Sequence, residues 1–296
     1  MRPIRPLFAA LAVAVLCGCG TANAAYETPE HATAEVRQAY LKTVDAGSAT
    51  VAISAEMTAT VNGRSEQGNL HGSGVFDFAG KRSQVTVTTP LGIEVEMRTI
   101  GVDFYEKAPA QLRRRFPGSR PWMRVDFDAA DRAQYGGPLY VFRPSGGDDP
   151  WQMLGVLPAA SSVRHVGTES ISGTRARHYR ATLRLADVAT LGGDQTGPGR
   201  REFQRRMGMD TVPLEIWLDD QGRLLRLQAQ VPMQLTGATW TSAGGVVNAT
   251  ATAVLEFSDF GRAVEVSAPA ADETDDLTPL VAERGIAAVG EIVGLI

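Results

Sequence analysis

The chain holds two thiols, Cys17 and Cys19, in the string Leu16-Cys17-Gly18-Cys19. Arg2, Arg5 and an apolar run from Leu7 to Leu16 precede them. A basic segment, a short apolar stretch and small residues before a cut are the parts of an export signal. The run is too short to stay in a bilayer as a span. Ala22-Asn23-Ala24 offers a second cleavage site, of the ordinary secretory kind.

Other reactive residues do not converge. The histidines His31, His71, His165 and His178 form no i,i+4 pair and no H-E-x-x-H, so no metal is expected. His178 alternates with an apolar face and reads as a solvent-side strand residue. Gly72-Ser73-Gly74 and Ser145-Gly146-Gly147 are not nucleophile elbows. The pairs Asp148-Asp149, Asp219-Asp220 and Asp275-Asp276 read as turn residues. With no nucleophile, base and orienting group together, neither an enzyme nor a cofactor is expected. Two arginine clusters remain: Arg113, Arg114 and Arg115, and Arg200, Arg201 and Arg205 with Arg206. Each is either a solvated face or a contact for an anionic headgroup or membrane surface.

LCGC resembles a bacterial lipobox, with Cys19 the acylated first residue of the mature chain. Several acyl chains on one residue anchor durably, since each buried methylene contributes about 0.8 kcal/mol. The expected location is the extracytoplasmic face of the cell membrane, lipid-anchored. Residues 1 to 18 would be the signal peptide and 19 to 30 a flexible tether. The mature chain keeps no free thiol or disulfide, so a hydrophobic core must hold it together, and 44% hydrophobic residues suffice for that. Acidic residues outnumber basic ones, 33 to 29, which argues against a nucleic-acid partner.

The elements follow from periodicity. Ala32, Val36, Ala39, Tyr40 and Val44 predict a helix from Pro29 to near Gly47. The period then becomes two: Val51, Ile53, Ala55 and Met57 share one face of a strand that turns at Asn62-Gly63. The returning strand puts Leu70, Gly72, Gly74, Phe76 and Phe78 on one face, its glycines marking strong curvature or an approaching ligand. Strands over Ser83 to Thr89, Ile93 to Ile100 and Val102 to Tyr105 continue an antiparallel meander. Short helices are expected over Gln111 to Phe116, Asp128 to Tyr135 and Pro150 to Leu157. A second strand series runs from Val163, through a turn at Ser172-Gly173 and a hairpin at Asp219 to Gly222, to Val246 to Phe257. Residues 269 to 278 read as irregular, and residues 279 to 296 as an apolar tail in which Thr278 and Pro279 suit a helix start.

The segments SSVRHVGTESISGTRARHYRATL and VPLEIWLDDQGRLLRLQ, behind a lipobox and a helix, resemble actinobacterial lipoproteins of the LppX/LprG group, relatives of the LolA/LolB type. The resemblance covers most of residues 30 to 278. It implies an α+β fold: a single curved antiparallel sheet of about ten strands, a half-open β-barrel, wrapping short helices with an apolar cavity between the layers. The implied activity is binding and carrying a lipid without covalent catalysis. Implied partners are a lipid ligand, the membrane through Cys19, and an envelope transporter or acceptor protein. Val51, Ile53, Met57, Phe76, Phe78, Val85 and Val87 are expected to face the cavity. So are Ile93, Val95, Met97, Leu214, Ile216 and Leu218. Alternation equally allows these residues to be ordinary core. The alternative function is an envelope sensor or scaffold that binds a protein with the same sheet.

Replacing Cys19 by Ala is expected to move the protein from the membrane fraction to the medium. Retention in the membrane would place the anchor elsewhere, for instance in the apolar stretch Ile286 to Ile296.

Overall fold

The structure, a computed structural model, describes residues 28–61, 64–89, 92–110, 113–115, 118–126, 152–184, 187, 210–236 and 246–284. The expected signal peptide, Cys19, most of the expected tether, the helix expected over Asp128 to Tyr135, and Arg200, Arg201 and Arg205 lie outside these residues, as do residues 285 to 296.

Helix α1, Pro29–Val44, starts where its caps dictate. The Thr28 hydroxyl accepts from the His31 amide at 3.3 Å, with Pro29 in the first turn and Glu30 beside the positive end of the helix dipole. Ala32, Val36, Ala39 and Thr43 recur on one face and are buried. Three polar residues fix the helix to the sheet. Glu35 accepts from the Tyr179 hydroxyl and the Arg177 guanidinium. Arg37 Nε donates to the Ala160 carbonyl at 3.2 Å. The Thr43 hydroxyl donates to the Ala39 carbonyl at 2.7 Å and accepts from the Leu224 amide at 2.9 Å.

Twelve strands make one sheet. The first half is β1 (Ser48–Val61), β2 (Arg64–Asp77), β3 (Arg82–Thr88), β4 (Glu94–Ile100), β5 (Asp103–Lys107) and β6 (Trp122–Asp126). The second is β7 (Ala160–Ile171), β8 (Thr174–Arg184), β9 (Thr211–Leu218), β10 (Leu224–Thr236), β11 (Val246–Ser258) and β12 (Thr274–Asp276). Their order is β12-β6-β5-β4-β3-β2-β1-β11-β10-β9-β8-β7, so β12 and β7 are free edges and the sheet stays open. Two meanders, β1 to β6 and β7 to β11, join where β1 pairs antiparallel with β11. The Ser172-Gly173 turn joins β7 to β8 with both residues at positive φ, 48° and 85°, the geometry that matches the twist of a tight hairpin.

The expected open antiparallel sheet is present, with twelve strands where about ten were expected. The two additions have a common cause. β6 is five residues long behind Pro117 and Pro121, and β12 is three residues long and acidic, so neither shows an alternation in sequence. Tertiary contacts hold them. Asp275, expected in a turn, accepts from the Gly118 and Arg120 amides, both at 3.1 Å, and Arg124 Nη1 donates to Asp276 at 2.8 Å. Part of the stretch taken as irregular is therefore a parallel partner of β6. The boundary at residue 278 falls at the first residue of helix α2, Thr278–Arg284. The helix expected over Gln111 to Phe116 is described as a 3₁₀ turn, Arg113–Arg115, and the one over Pro150 to Leu157 as a 3₁₀ segment, Gln152–Ala159.

Strands β2 and β3 approach each other closely at two glycines. A Cβ on Gly74 would stand 2.1 Å from the Gln84 carbonyl oxygen, and one on Gly72 2.4 Å from that of Thr86. The neighbouring backbone takes the space that the absent side chains vacate.

Gly74→Ala is expected to destabilise the fold by about 1–3 kcal/mol, since the obstacle is backbone. Gly167→Ala in β7, where nothing lies within 4 Å, should stay within about 0.5 kcal/mol of the parent. Thermal or urea unfolding of the two variants measures the contrast.

Candidate ligand-binding site

Directly opposite residues in neighbouring strands share a face. Following the registers outward from Val51, that rule traces one inner face across the sheet. Val51 stands opposite Gly74 on β2 and Phe257 on β11, Gly74 opposite Val85, and Val85 opposite Met97. Met97 stands opposite Glu106, and Glu106 opposite Met123. In the other direction Leu255 meets Leu227, Leu227 meets Ile216, and Ile216 meets Tyr179. The residues expected to face a cavity thus come to one side of one sheet. Ile93 stands one residue before β4, and Phe78 one residue after β2 with its ring 6.0 Å from that of Phe76.

Along this face burial is uneven. Under α1 and the 3₁₀ segment, Leu214, Ile216, Leu218 and Tyr179 pack with Val36, Leu154 and Leu157, each at most 2% exposed. Val85 and Val87 are buried against the glycine notch of β2. A contiguous patch is different. Ile53 and Ala55 on β1, Leu70 on β2, Ala229 and Val231 on β10, and Ala253 and Leu255 on β11 all keep part of their solvent contact. They adjoin through the pairs Ile53–Leu255, Ala55–Leu70, Ala55–Ala253 and Ala253–Ala229. Val95 and Met97 on β4 are likewise half-buried. Helix α1 packs on β7 and the 3₁₀ segment, with smaller contacts on β9 and β10.

The outer face is polar and internally paired. Glu96 receives Arg98 Nη2 at 2.7 Å and Lys107 Nζ at 3.2 Å, and both cations lie over the Trp122 ring, at 4.7 and 5.6 Å from its centre. Burial works to raise the Glu96 carboxyl, yet these hydrogen bonds and charges hold it below the ordinary range. On β8, His178 is on the outer side as expected, but it is buried there. Its ring stacks on Trp217 at 4.2 Å, with Nδ1 2.7 Å from Glu169 and Nε2 2.6 Å from Glu215. Both nitrogens face carboxylates, so only a ring with a proton on each donates to both. Hydrogen bonds from Trp217 and then His178 hold the Glu169 carboxyl below its usual value.

Of the arginines, Arg113 is half-buried and donates through Nε to the Ala108 carbonyl at 3.3 Å, while Arg114 is exposed. The Arg115 side chain lies outside the described residues. The Asp219 turn is as expected: its carboxylate accepts from the Gln221 and Arg223 amides at 2.9 and 2.8 Å.

Glu106 is the residue that sequence reading passed over. The expected strand ended at Tyr105, which left Glu106 without a face. Extending the alternation by one pair would have put it in phase with Phe104. It stands on the inner face between Met97 and Met123, half-buried, and no described residue gives it a hydrogen bond or a counter-charge. Burial alone pushes its carboxyl up to about 7.

No family model matches the chain. Over 173 residues, 57% of the chain, it is 24% identical to the uncharacterized 31.2 kDa protein in the rplA-rplJ intergenic region of Streptomyces griseus, and the match spans about half of that protein's length, 52%. Similar solved structures include lipoprotein LppX of Mycobacterium tuberculosis, with a TM-score of 0.46 and 14% identity over 81% of this chain and 100% of that one. LprF of Mycobacterium bovis gives a TM-score of 0.42 and 14% identity over 83% and 99%. A LolA superfamily protein of Nitrosomonas europaea gives 0.29 and 12% over 79% and 94%.

The raised Glu106 carboxyl has a signed consequence for stability. Between an unfolded value near the ordinary 4.5 and the folded value of about 7, the native state holds the proton that the unfolded state has released. Stability is therefore full below pH 4.5 and falls as pH rises through about 7, by at most about 3 kcal/mol. Glu106→Gln should remove this part of the slope and be the more stable protein at pH 8. Urea unfolding at pH 5 and pH 8 measures both effects.

Proposed function

We propose that this chain is a membrane-anchored lipoprotein of the cell envelope that binds and carries lipid on the inner face of its sheet, without covalent catalysis. The observation that carries the reading is the contiguous apolar patch around Ile53, Ala55, Leu70, Ala253 and Leu255, which keeps solvent contact on the inner face of a sheet whose helix α1 packs mainly on β7 and the 3₁₀ segment. Three of its seven members are alanines, which leave room where Leu or Phe would fill the space. The lipobox at Cys19 supplies the anchor, and the resemblance to the LppX/LprG group supplies the ligand class.

The energetics give such a surface a use. A diacyl lipid has on the order of 30 methylenes, so exposing its chains to water costs more than about 20 kcal/mol. Unaided transfer through an aqueous envelope is negligible at that cost. Chains laid against Ile, Leu, Val and Ala exchange one apolar environment for another, and loading and release are then nearly balanced.

Native mass spectrometry of the Cys19→Ala protein, purified without detergent, tests the reading. The expected spectrum carries adducts of lipid mass that organic solvent extracts. A bare protein mass with nothing extractable would reject the carrier and favour the protein-binding scaffold.

A further inference from the structure

On β4 to β6 the charged side chains are sorted by face. On the outer face Glu96 meets Arg98 and Lys107, Asp103 meets Arg124 at 2.7 Å, and Glu94 is exposed to solvent. Glu106 alone of this group is on the inner face. Lys107, next in the chain, points away from it toward Glu96 and Trp122. The inner-face neighbours are Val95 and Met97 on β4, Phe104 on β5, and Met123 and Val125 on β6, none of them charged.

A carboxyl in such a place gives up hydration and gets nothing back from the protein, which is a reason to ask what does partner it. Being half-buried, it can be reached by whatever occupies the inner face. We propose that Glu106 accepts a hydrogen bond from a donor group, a hydroxyl or an ammonium, on an amphiphilic ligand whose hydrocarbon lies along the inner face. The inference rests on the lipid-binding reading above and narrows it to a ligand chemistry. Apolar contact with Met97, Met123 and the patch around Ile53 holds the chain and is indifferent to the head. Above pH 7, where its carboxyl is ionised and where the test below is run, Glu106 selects among heads: a donor restores the lost hydrogen bond, an ether cannot, and a carboxylate adds a like charge. Its burial, which already pushes the carboxyl up, makes the restored bond worth more than one on the surface.

The test uses four C12 amphiphiles: 1-dodecanol, dodecylamine, dodecyl methyl ether and dodecanoate. Each displaces a fluorescent apolar dye from the delipidated Cys19→Ala protein, below its micelle concentration. The alcohol, the amine or both should bind about tenfold tighter than the ether, and dodecanoate no tighter than the ether. Glu106→Leu, which suits an apolar site, should erase that advantage while the ether still binds. Glu106→Gln keeps an acceptor without a charge, so it separates the sources: an alcohol preference survives in it and an ammonium preference does not. Equal binding of ether, alcohol and amine to the parent would mean that water satisfies Glu106 and would overturn the inference, as would an advantage that persists in Glu106→Leu. If none of the four binds the parent, it is the lipid-binding reading that fails.

Discussion

Water has to be kept from an apolar surface that runs across the sheet from Met123 on β6, through Val85, Ile53 and Leu255, to Ile216 on β9. At roughly 25 cal/mol per Å² of apolar surface, leaving it flat and exposed would be unaffordable for a domain of this size. One four-turn helix cannot cover it. The chain meets the constraint unevenly: α1 and the 3₁₀ segment cover the β7 to β10 side, Val85 and Val87 pack against the glycine notch of β2, and the patch around Ile53 keeps part of its solvent contact. The uncovered part is where a function fits.

Polar groups fix where those apolar layers meet. Glu35 reaches from α1 to Tyr179 and Arg177, and Thr43 satisfies the Leu224 amide at the start of β10. A buried donor or acceptor without a partner is costly, so each pair specifies one position of the helix on the sheet. The opposite face is secured differently. The chain after β11 crosses the outer side of β3 and β4, where the Val266 and Ser267 carbonyls accept from Arg82 at 3.0 Å and Arg98 at 2.9 Å, before β12 pairs with β6. This outer segment places β12 at the edge of the sheet beside β6.

Much of the architecture was legible in order along the chain. The α1 caps, the period-two runs of β1 to β4, the Ser172-Gly173 and Asp219 turns and the shared face of Val51, Val85, Met97 and Ile216 all follow from local rules. The glycine notch was half legible: glycines at 72 and 74 announced that something comes close, and the neighbouring strand proved to occupy that space. β6 and β12 were not legible, because five and three residues hold too little pattern and their stability lies in Asp275, Asp276 and Arg124, contacts between segments some 150 residues apart.

The sequence by itself determined which residues share a face and where the chain turns, since these depend on side-chain type and on spacing within one element. Tertiary structure alone decided which part of the shared face is filled. Ile216 and Ile53 have the same chemistry and the same phase, yet the first lies in the packed core and the second adjoins solvent, because α1 docks on one half of the sheet. It also decided that His178 is walled in by Trp217 and two glutamates, and that Glu106 has no such company. Coverage is a property of what lies opposite, and that partner comes from far along the chain.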